Sequence, residues 1–199
     1  MGEKLSDAAL DTIFRTARTY NGYTDAPVTE EEIRAIYELL KMGPTSANQQ
    51  PARFVWCLSQ QAKDTLADCA TGNNPDKIRK APAAVVIGMD ENFHEELPWL
   101  FPHTDAKSWF DGDDKQPVRH DHAFRNSSLQ GAYFIIAARA IGLDTGPMSG
   151  FDPDKVNAAF FADRPSVKAN FISTLGHGDP ATIFGRLPRP DFETFNRID

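Results

Sequence analysis

The chain has 199 residues, 41% hydrophobic and 25% charged, a balance that is typical of a globular protein and excludes a disordered or collagen-like chain. We predict one domain over residues 1–199, because this length allows a single buried core. The net charge of −7 disfavours nucleic acid and anionic membrane surfaces as partners, since both repel an acidic protein.

The cysteines and the hydropathy pattern indicate the compartment. Cys57 and Cys69 stand in no zinc or redox spacing, so we expect two buried thiols in a reducing environment. No apolar run approaches the roughly 20 residues that a bilayer crossing needs, and the first residues lack the apolar core of a secretion signal. We expect a cytoplasmic protein without membrane contact.

Two helices come first among the predicted elements. The first follows a cap at Ser6 or Asp7 and ends near Arg18. The second begins at the capping-box pair Thr29 and Glu32, and its apolar residues recur at i, i+3, i+4 and i+7. This second helix leads directly into a polar loop.

That loop reads GPTSANQQP, residues 43–51, and places hydroxyl and amide side chains between two prolines. Thr45, Ser46 and Asn48 offer hydrogen-bond donors and acceptors without charge. The loop is either an ordinary surface turn or a cradle for a flat, hydrogen-bonding ligand.

Three strands are predicted from apolar runs. Residues 53–59 and 170–175 are rich in aromatic or β-branched side chains. Residues 83–89 form a continuous apolar run, which is typical of a strand buried on both faces. Between the strands predicted at residues 53–59 and 83–89, residues 60–70 have helical character and residues 71–82 are predicted as a loop.

Residues 90–121 show no regular period. Trp99, Phe101 and Trp109 are interleaved there with proline, histidine and acidic residues. Long irregular segments in compact domains are often lids or binding loops. We predict either a lid over a site or aromatic packing beneath the same segment.

The helix predicted over residues 122–141 is apolar around most of its circumference, so we expect it to be buried inside a core or between subunits. Gly142 ends it, and residues 144–151 are predicted as a turn before a short helix at residues 152–161. The tail, residues 186–199, has too few apolar residues for a core of its own. It is predicted to pack on another surface, a second chain among the candidates.

Three arginines are candidates for binding phosphate. Arg18 opens the RTYN loop after the first helix, and its guanidinium offers a planar fork of donors. Arg186 and Arg189, in the segment GRLPRP, offer the same group. The alternative for each is a solvated side chain, because cations also favour helix ends without any ligand.

Glycines bracket a second candidate site. Gly146 and Gly150 stand on either side of Pro147, Met148 and Ser149. Glycine lets a ligand approach the backbone closely, and the alternative is a plain connection between a helix and a strand.

Other constellations are weaker. His120 and His122 flank Asp121, but side chains two positions apart on a helix point in different directions, so no metal site is predicted. The sequence also lacks a G-x-G-x-x-G fingerprint, a P-loop and a G-x-S-x-G elbow.

Four loops in this order resemble the FMN-dependent nitroreductase family. They are the RTYN loop at 18–21, PTSANQQP at 44–51, AIGLDTGPMSGF at 140–151 and RLP at 186–188. The resemblance runs from about residue 8 to the end. It implies an α+β fold with a central, mostly antiparallel sheet flanked by helices, in an intertwined homodimer that holds FMN at its interface.

The resemblance also implies which residues bind the cofactor. Thr45, Ser46 and Asn48 would come from the partner chain. Gly22 stands where many relatives carry a second basic residue, and Ser149 where some carry an acidic one, so phosphate neutralisation would rest more on the arginines. The implied cofactor-binding residues are Arg18, Thr19, Tyr20, Asn21, Thr45, Ser46, Asn48, Asn74, Lys77, Pro147, Met148, Ser149, Gly150, Arg186 and Arg189.

Within this family, the segments ARTYNGY, GPTSANQQPAR, LPWLFPHTDAKSWF, FRNSSLQ and LDTGPMSGFD are similar to the branch of malonic semialdehyde reductases in pyrimidine breakdown. That branch implies hydride transfer from NADH or NADPH through FMN, in a ping-pong cycle that yields 3-hydroxypropionate. Two alternatives stay open: a broad nitroreductase or quinone reductase, and a flavin-binding protein without enzymatic activity.

A semialdehyde acid also carries a carboxylate, which requires a cationic partner. The sequence does not rank the candidates, which are Arg53, Lys107, Arg119 and Arg125.

Overall fold

The computed structural model describes residues 2–199, so Met1 of the predicted domain lies outside the described residues. One four-stranded sheet lies at the centre, in the order β1-β2-β4-β3, with every neighbouring pair antiparallel. The predicted α+β class with a mostly antiparallel sheet is confirmed. The strands are β1 (Ala52–Cys57), β2 (Ala83–Asp90), β3 (Asp144–Met148) and β4 (Val167–Gly176).

Helices flank this sheet. The first of them continues into a π-helical turn, Asp11–Arg15, and ends three residues before the predicted end at Arg18. Among residues 2–199, none of the helices combines the length and the hydropathy that a bilayer crossing requires. The helices are α1 (Asp7–Leu10), α2 (Glu30–Leu40), α3 (Gln60–Cys69), α4 (Asn74–Lys80), α5 (Leu97–Leu100), α6 (Gln116–Ala140), α7 (Pro153–Phe160) and α8 (Phe192–Phe195).

Strand β2 separates two cores. Val85 and Ile87 face the core that contains α2 and α6, whereas Ala84 and Val86 face the core that contains α3, α4 and α7. This alternation follows from the two-residue period of a strand. Residues 83–89 are all buried, as the continuous apolar run predicts.

The irregular segment at residues 90–121 packs on a small core of its own. Phe93, Leu97 and Phe110 are buried in it against Ala123 of α6. Residues 93–115 contain α5 and short 3-10 turns, which explains why the sequence shows no regular period there. Residues 116–121 already belong to α6, so the predicted irregular segment is too long and the predicted start of the long helix at residue 122 is six residues late.

Two predictions of local structure are wrong. Residues 144–148, predicted as part of a turn, form β3, because an edge strand tolerates a proline that cannot donate a ladder hydrogen bond. Residues 74–80, predicted as loop, form α4, whose Pro75 lies in the first helical turn, where its missing N–H leaves no bond unmade.

The long helix and the tail leave apolar surface uncovered. Phe124 and Leu129 of α6 are 52% and 41% exposed. In the tail, Leu187, Phe195 and Ile198 are each at least three-quarters exposed. The tail therefore has no core of its own, as expected, and its packing on a second chain stays a prediction.

The second core makes a prediction for stability. Leu66 on α3 is fully buried in that core, so Leu66→Ala should lower the free energy of unfolding by about 2–5 kcal/mol through lost burial and the cavity left behind. Gln61→Ala, on the exposed side of the same helix, is the control and should change it by less than about 0.5 kcal/mol. Urea unfolding measures both, and equal effects would contradict the assignment of this core.

Candidate functional site

Four arginines line one cavity of about 600 Å³. Arg18 comes from the loop after the first helix, Arg139 from the last turn of α6, and Arg186 and Arg189 from the tail. The predicted phosphate-binding arginines are therefore neighbours in space although they are far apart in sequence. Thr19 and Asn21 also line this cavity.

These guanidiniums are held by backbone carbonyls and not by carboxylates. Arg18 donates to the carbonyl of Phe184, and Arg186 donates to the carbonyl of Ala17 at 3.1 Å. Arg189 donates to carbonyls of its own segment at 3.1 Å. Within residues 2–199, no acidic side chain forms an ion pair with any of the four arginines lining the cavity. The cavity thus concentrates positive charge in a chain whose net charge is −7, and Asp144 acts on Arg139 through its charge without forming an ion pair with it.

Arg139 was not identified from the sequence. Its Nη1 donates to the carbonyl of Ile13 at 2.9 Å, while its Nε is buried and has no hydrogen-bond partner among residues 2–199. Burial lowers the pKa of Arg139, Asp144 raises it, and Arg186 lowers it further. A buried donor without an acceptor, beside other cations, fits an anionic ligand. The available signal was a lone charge within the apolar run at residues 132–141.

A second cavity of about 470 Å³ contains the predicted glycine-flanked loop. Pro147, Met148 and Ser149 line one side of it, and Phe124 and Ser128 of α6 lie opposite. This lining is mainly apolar and aromatic, which suits a flat ring more than an anion.

One face of α6 connects the two cavities. Phe124, Ser128, Ala132 and Ile135 line the second cavity and Arg139 lines the first, at intervals of three or four residues. At about 1.5 Å per residue, this row extends over roughly 22 Å of helix. We call the two cavities along this row the α6–β3 groove: β3 forms the other wall of the second cavity, and the first cavity is closed by the RTYN loop and the tail.

The RTYN loop is fixed to the start of β3. Thr19 forms a β-bridge with Thr145, and the backbone N–H of Tyr20 donates to the carbonyl of Thr145 at 3.3 Å. The ring of Tyr20 packs against Gly178 and does not line the arginine cavity. The arginine end and the Pro147 end of the groove are therefore joined by β3 as well as by α6.

Gly150 is connected to the helix α4. The side-chain amide of Asn74 donates to the carbonyl of Gly150 at 3.0 Å, and a Cβ at Gly150 would lie 2.6 Å from the same amide nitrogen. Only glycine fits there without displacing Asn74. Lys77, one turn further along α4, is half-buried and forms no ion pair within residues 2–199. Asn74 thus lies at the Gly150 end of the groove, whereas Lys77 lines neither of its two cavities, and its predicted role stays a prediction.

The polar loop at residues 44–51 lies on the opposite face of α6. The backbone N–H of Ser46 donates to Asn126 Oδ1 at 2.8 Å, and Gln130 Nε2 donates to Gln50 Oε1 at 2.6 Å. Asn126 and Gln130 follow Phe124 and Ser128 by two positions each, a rotation of about 200° at 3.6 residues per turn. We call this side the loop-binding face of α6. Within one chain, the loop and the groove are separated by the helix.

The conformation of this loop is strained. Ala47, Asn48 and Gln50 have φ angles of 47°, 49° and 44°, which residues other than glycine adopt at a cost of about 1–3 kcal/mol each. A buried network offsets this strain: Asn126 Nδ2 donates to Gln49 Oε1 at 3.1 Å. The loop is therefore held in one shape before any ligand binds.

The aromatic side chains predicted as a lid lie beside this loop. Trp99 lines a cavity of about 690 Å³ together with Asn48 and is 68% exposed. Phe101 and Trp109 contact each other edge to face, with ring centroids 6.4 Å apart. None of the three lines the α6–β3 groove of the same chain, and their role as a lid stays a prediction.

A group of possible metal ligands was not predicted. His94, Glu95 and Asp111 present ligand atoms within 4.8 Å of one another. Lys107 Nζ lies 2.6 Å from Glu95 Oε2, so the Glu95 carboxylate already forms an ion pair with this lysine. We assign no metal to this group.

The fold and the groove together define a class of protein: an antiparallel sheet between helices, beside a groove that is cationic at one end and mainly apolar at the other. The sequence profile of the Nitroreductase family matches residues 14–177, and the chain belongs to that family. The predicted family membership is confirmed.

Several known proteins are similar to this chain. A relative from Stenotrophomonas maltophilia (strain K279a), provisionally named an NADH dehydrogenase/NAD(P)H nitroreductase, is 56% identical over 198 residues and 100% of both chains. The crystal structure of Bacillus subtilis ydfN, provisionally described as a nitroreductase, has a TM-score of 0.84 at 21% identity, over 98% of this chain and 100% of its own. A protein of Exiguobacterium sibiricum described in the same way, solved in complex with FMN, has a TM-score of 0.81 at 21% identity over 100% of both chains.

The loop-binding network predicts a pH dependence. His122 Nδ1 accepts from Gln49 Nε2 at 3.0 Å, which requires a neutral imidazole. Burial lowers the pKa of His122 below its ordinary 6.5, Arg125 lowers it further, and Asp121 opposes both. The folded state thus binds this proton more weakly than the unfolded state, so the stabilisation is complete above pH 6.5 and is lost as the pH falls through the lowered pKa.

An NMR titration of the His122 ring should give a midpoint below 6.5. His122→Asn is the matched control: its free energy of unfolding should fall less than that of the wild type between about pH 7.5 and about pH 5. A midpoint at or above the ordinary value would show that the imidazole does not serve as the acceptor for Gln49.

Proposed function

We propose that the chain is an FMN-dependent NAD(P)H oxidoreductase. The observation that carries this proposal is the group of four guanidiniums without carboxylate partners, Arg18, Arg139, Arg186 and Arg189, at one end of the α6–β3 groove. Arginine forks suit a phosphate group. The apolar wall at the other end suits a flat ring, so the groove has the two kinds of surface that FMN requires.

The residues of the groove have distinct tasks in this proposal. The arginines neutralise the phosphate, and Thr19 and Asn21 lie beside it to contact the ribityl chain. Pro147 and Met148 provide the surface for the ring, and Asn74 is already oriented by its bond to Gly150. When bound, FMN accepts a hydride from NADH or NADPH and passes it to an acceptor, while the protein supplies position and electrostatics.

The site is completed by a second copy of the chain. Thr45, Ser46 and Asn48 belong to the predicted site but lie on the far side of α6 from the groove of their own chain. They therefore reach a shared ligand only from a partner. The exposed apolar side chains of α6 and of the tail supply surface for such a dimer.

Malonic semialdehyde is the proposed acceptor, on the basis of the segments that resemble that branch of the family. A second candidate is a broad nitroreductase or quinone reductase, which the name of the Stenotrophomonas maltophilia relative favours. The third hypothesis, a flavin-binding protein without activity, predicts that NAD(P)H does not reduce bound FMN faster than free FMN.

A two-chain site predicts complementation between two defective variants. Arg139→Gln removes a phosphate ligand, and the double variant Ser46→Ala, Asn48→Gly removes the loop side chains while glycine keeps the left-handed backbone. Each homodimer should bind FMN at least about tenfold more weakly, since a hydrogen bond to a charged group contributes roughly 1.5–3 kcal/mol. A mixed dimer should recover one intact site, because one groove and one loop remain unaltered.

Fluorescence titration of FMN on co-expressed, differently tagged chains measures this recovery. Sedimentation of the same sample verifies that mixed dimers form. If mixed dimers form and bind FMN no better than the homodimers, both halves of the site belong to one chain, and the two-chain proposal is wrong.

The choice of acceptor is tested by steady-state kinetics. With NADH and with NADPH, kcat/KM for malonic semialdehyde should exceed kcat/KM for p-benzoquinone and nitrofurazone, because a dedicated pocket stabilises the transition state of its own substrate. Oxidation of NAD(P)H at equal concentrations of each acceptor gives the ratio. Faster reduction of the neutral acceptors would favour the second candidate instead.

A further inference from the structure

We propose that Arg125 on α6 binds the carboxylate of the substrate and thereby selects short aldehyde acids over neutral acceptors. This inference rests on the proposed function and specifies its substrate class. It concerns the ring end of the α6–β3 groove, and no part of it depends on the arginines at the phosphate end.

The position of Arg125 places it at the edge of the groove. Phe124 and Ser128 line the cavity opposite Pro147 and Ser149. On a helix with 3.6 residues per turn, Arg125 lies about 60° from Ser128 and about 20° from Ala132, the nearest members of the row that faces the groove. Arg125 does not line the cavity itself, but a long side chain at this rim can extend toward its mouth while keeping the guanidinium in water.

Arg125 is also unengaged. Arg125 is exposed, and within residues 2–199 its guanidinium forms no hydrogen bond and no ion pair. Asp121, the acidic residue one turn earlier on the same helix, is exposed and does not pair with it. An unpaired guanidinium in a chain of net charge −7 is a free site for an anion.

The other cations considered from the sequence are engaged. Arg53 forms an ion pair with Asp90 at 2.9 Å. Lys107 is paired with Glu95 at 2.6 Å, and Arg119 donates to two backbone carbonyls at 2.8 Å. Recruiting Arg53 or Lys107 would break an ion pair. Arg119 has a buried Nε without a partner within residues 2–199, but its Nη1 is held by two carbonyls, whereas recruiting Arg125 breaks no hydrogen bond or ion pair.

The chemistry of this residue defines the substrate class. A guanidinium binds a carboxylate through two parallel hydrogen bonds, which fixes the orientation of the acid as well as its position. The aldehyde carbon must reach the ring surface at Pro147 and Met148 while the carboxylate stays at the rim. Short aldehyde acids with the two groups at opposite ends meet this requirement, and neutral quinones gain nothing from Arg125.

The test uses the FMN-loaded protein and two readouts. Isothermal titration with malonate, a non-reactive dicarboxylate, reports binding without turnover, and steady-state kinetics compares malonic semialdehyde with p-benzoquinone.

Arg125→Gln should weaken malonate binding and raise KM for the semialdehyde by about 10- to 100-fold, while KM for the quinone stays within twofold. Arg125→Lys should lie between the wild type and Arg125→Gln. Arg164→Gln, at another exposed arginine whose guanidinium has no hydrogen-bond or ion-pair partner within residues 2–199, is the matched control and should change neither value.

The outcomes separate this inference from the proposed function. Equal malonate affinity in the wild type and in Arg125→Gln, or no malonate binding by either, overturns the role of Arg125. A wild type that reduces quinone and not the semialdehyde, but whose malonate binding depends on Arg125, overturns the proposed substrate and supports the carboxylate site.

Discussion

The structure depends on one helix that presents two chemically different faces. One face of α6 carries Phe124, Ser128 and Arg139 along the groove, and the other carries Asn126 and Gln130, which hold the polar loop. A helix with its side chains is about 10–12 Å across, and its backbone hydrogen bonds keep the two faces in a fixed relation. The same rigid element therefore builds two half-sites that do not meet within the chain, which makes a symmetric pair of chains the simplest way to complete both.

The two ends of the groove differ in charge, because the arginines lie at one end only. Gathering four guanidiniums is unfavourable in the absence of an anion, since they repel one another and Arg139 leaves a buried donor unpaired. In the proposed site a bound phosphate would relieve both costs, so the folded state and the ligand would stabilise each other. Some carboxylates of this acidic chain form ion pairs elsewhere, such as Asp90 with Arg53, and within residues 2–199 none forms an ion pair with the four arginines, although the charge of Asp144 acts on Arg139.

The sequence predicted those elements whose signals are local. The capping box of Thr29 and the apolar run of β2 are complete within a few residues, and both were located correctly. Strand β3 was missed because Gly146 and Pro147 are residues typical of a turn. Proline is tolerated in an edge strand, but the position of β3 at the sheet edge is visible only in the structure. Arg139 was missed because its role arises only where the tail approaches the end of α6, a contact between residues distant in sequence.

The shape of the polar loop could not be predicted from the sequence, again because it depends on contacts with residues distant in the chain. Its composition indicated a turn or a cradle, but the loop with left-handed angles at Ala47 and Asn48 is held by hydrogen bonds from α6 as well as by bonds within the loop. Strain of this kind has a benefit for binding. A loop that is already ordered loses little conformational entropy when a ligand arrives, so its hydroxyl and amide groups contribute more of their interaction energy to affinity. In the proposed dimer, the network on the loop-binding face would thus prepare, in each chain, the surface that the groove of the other chain lacks.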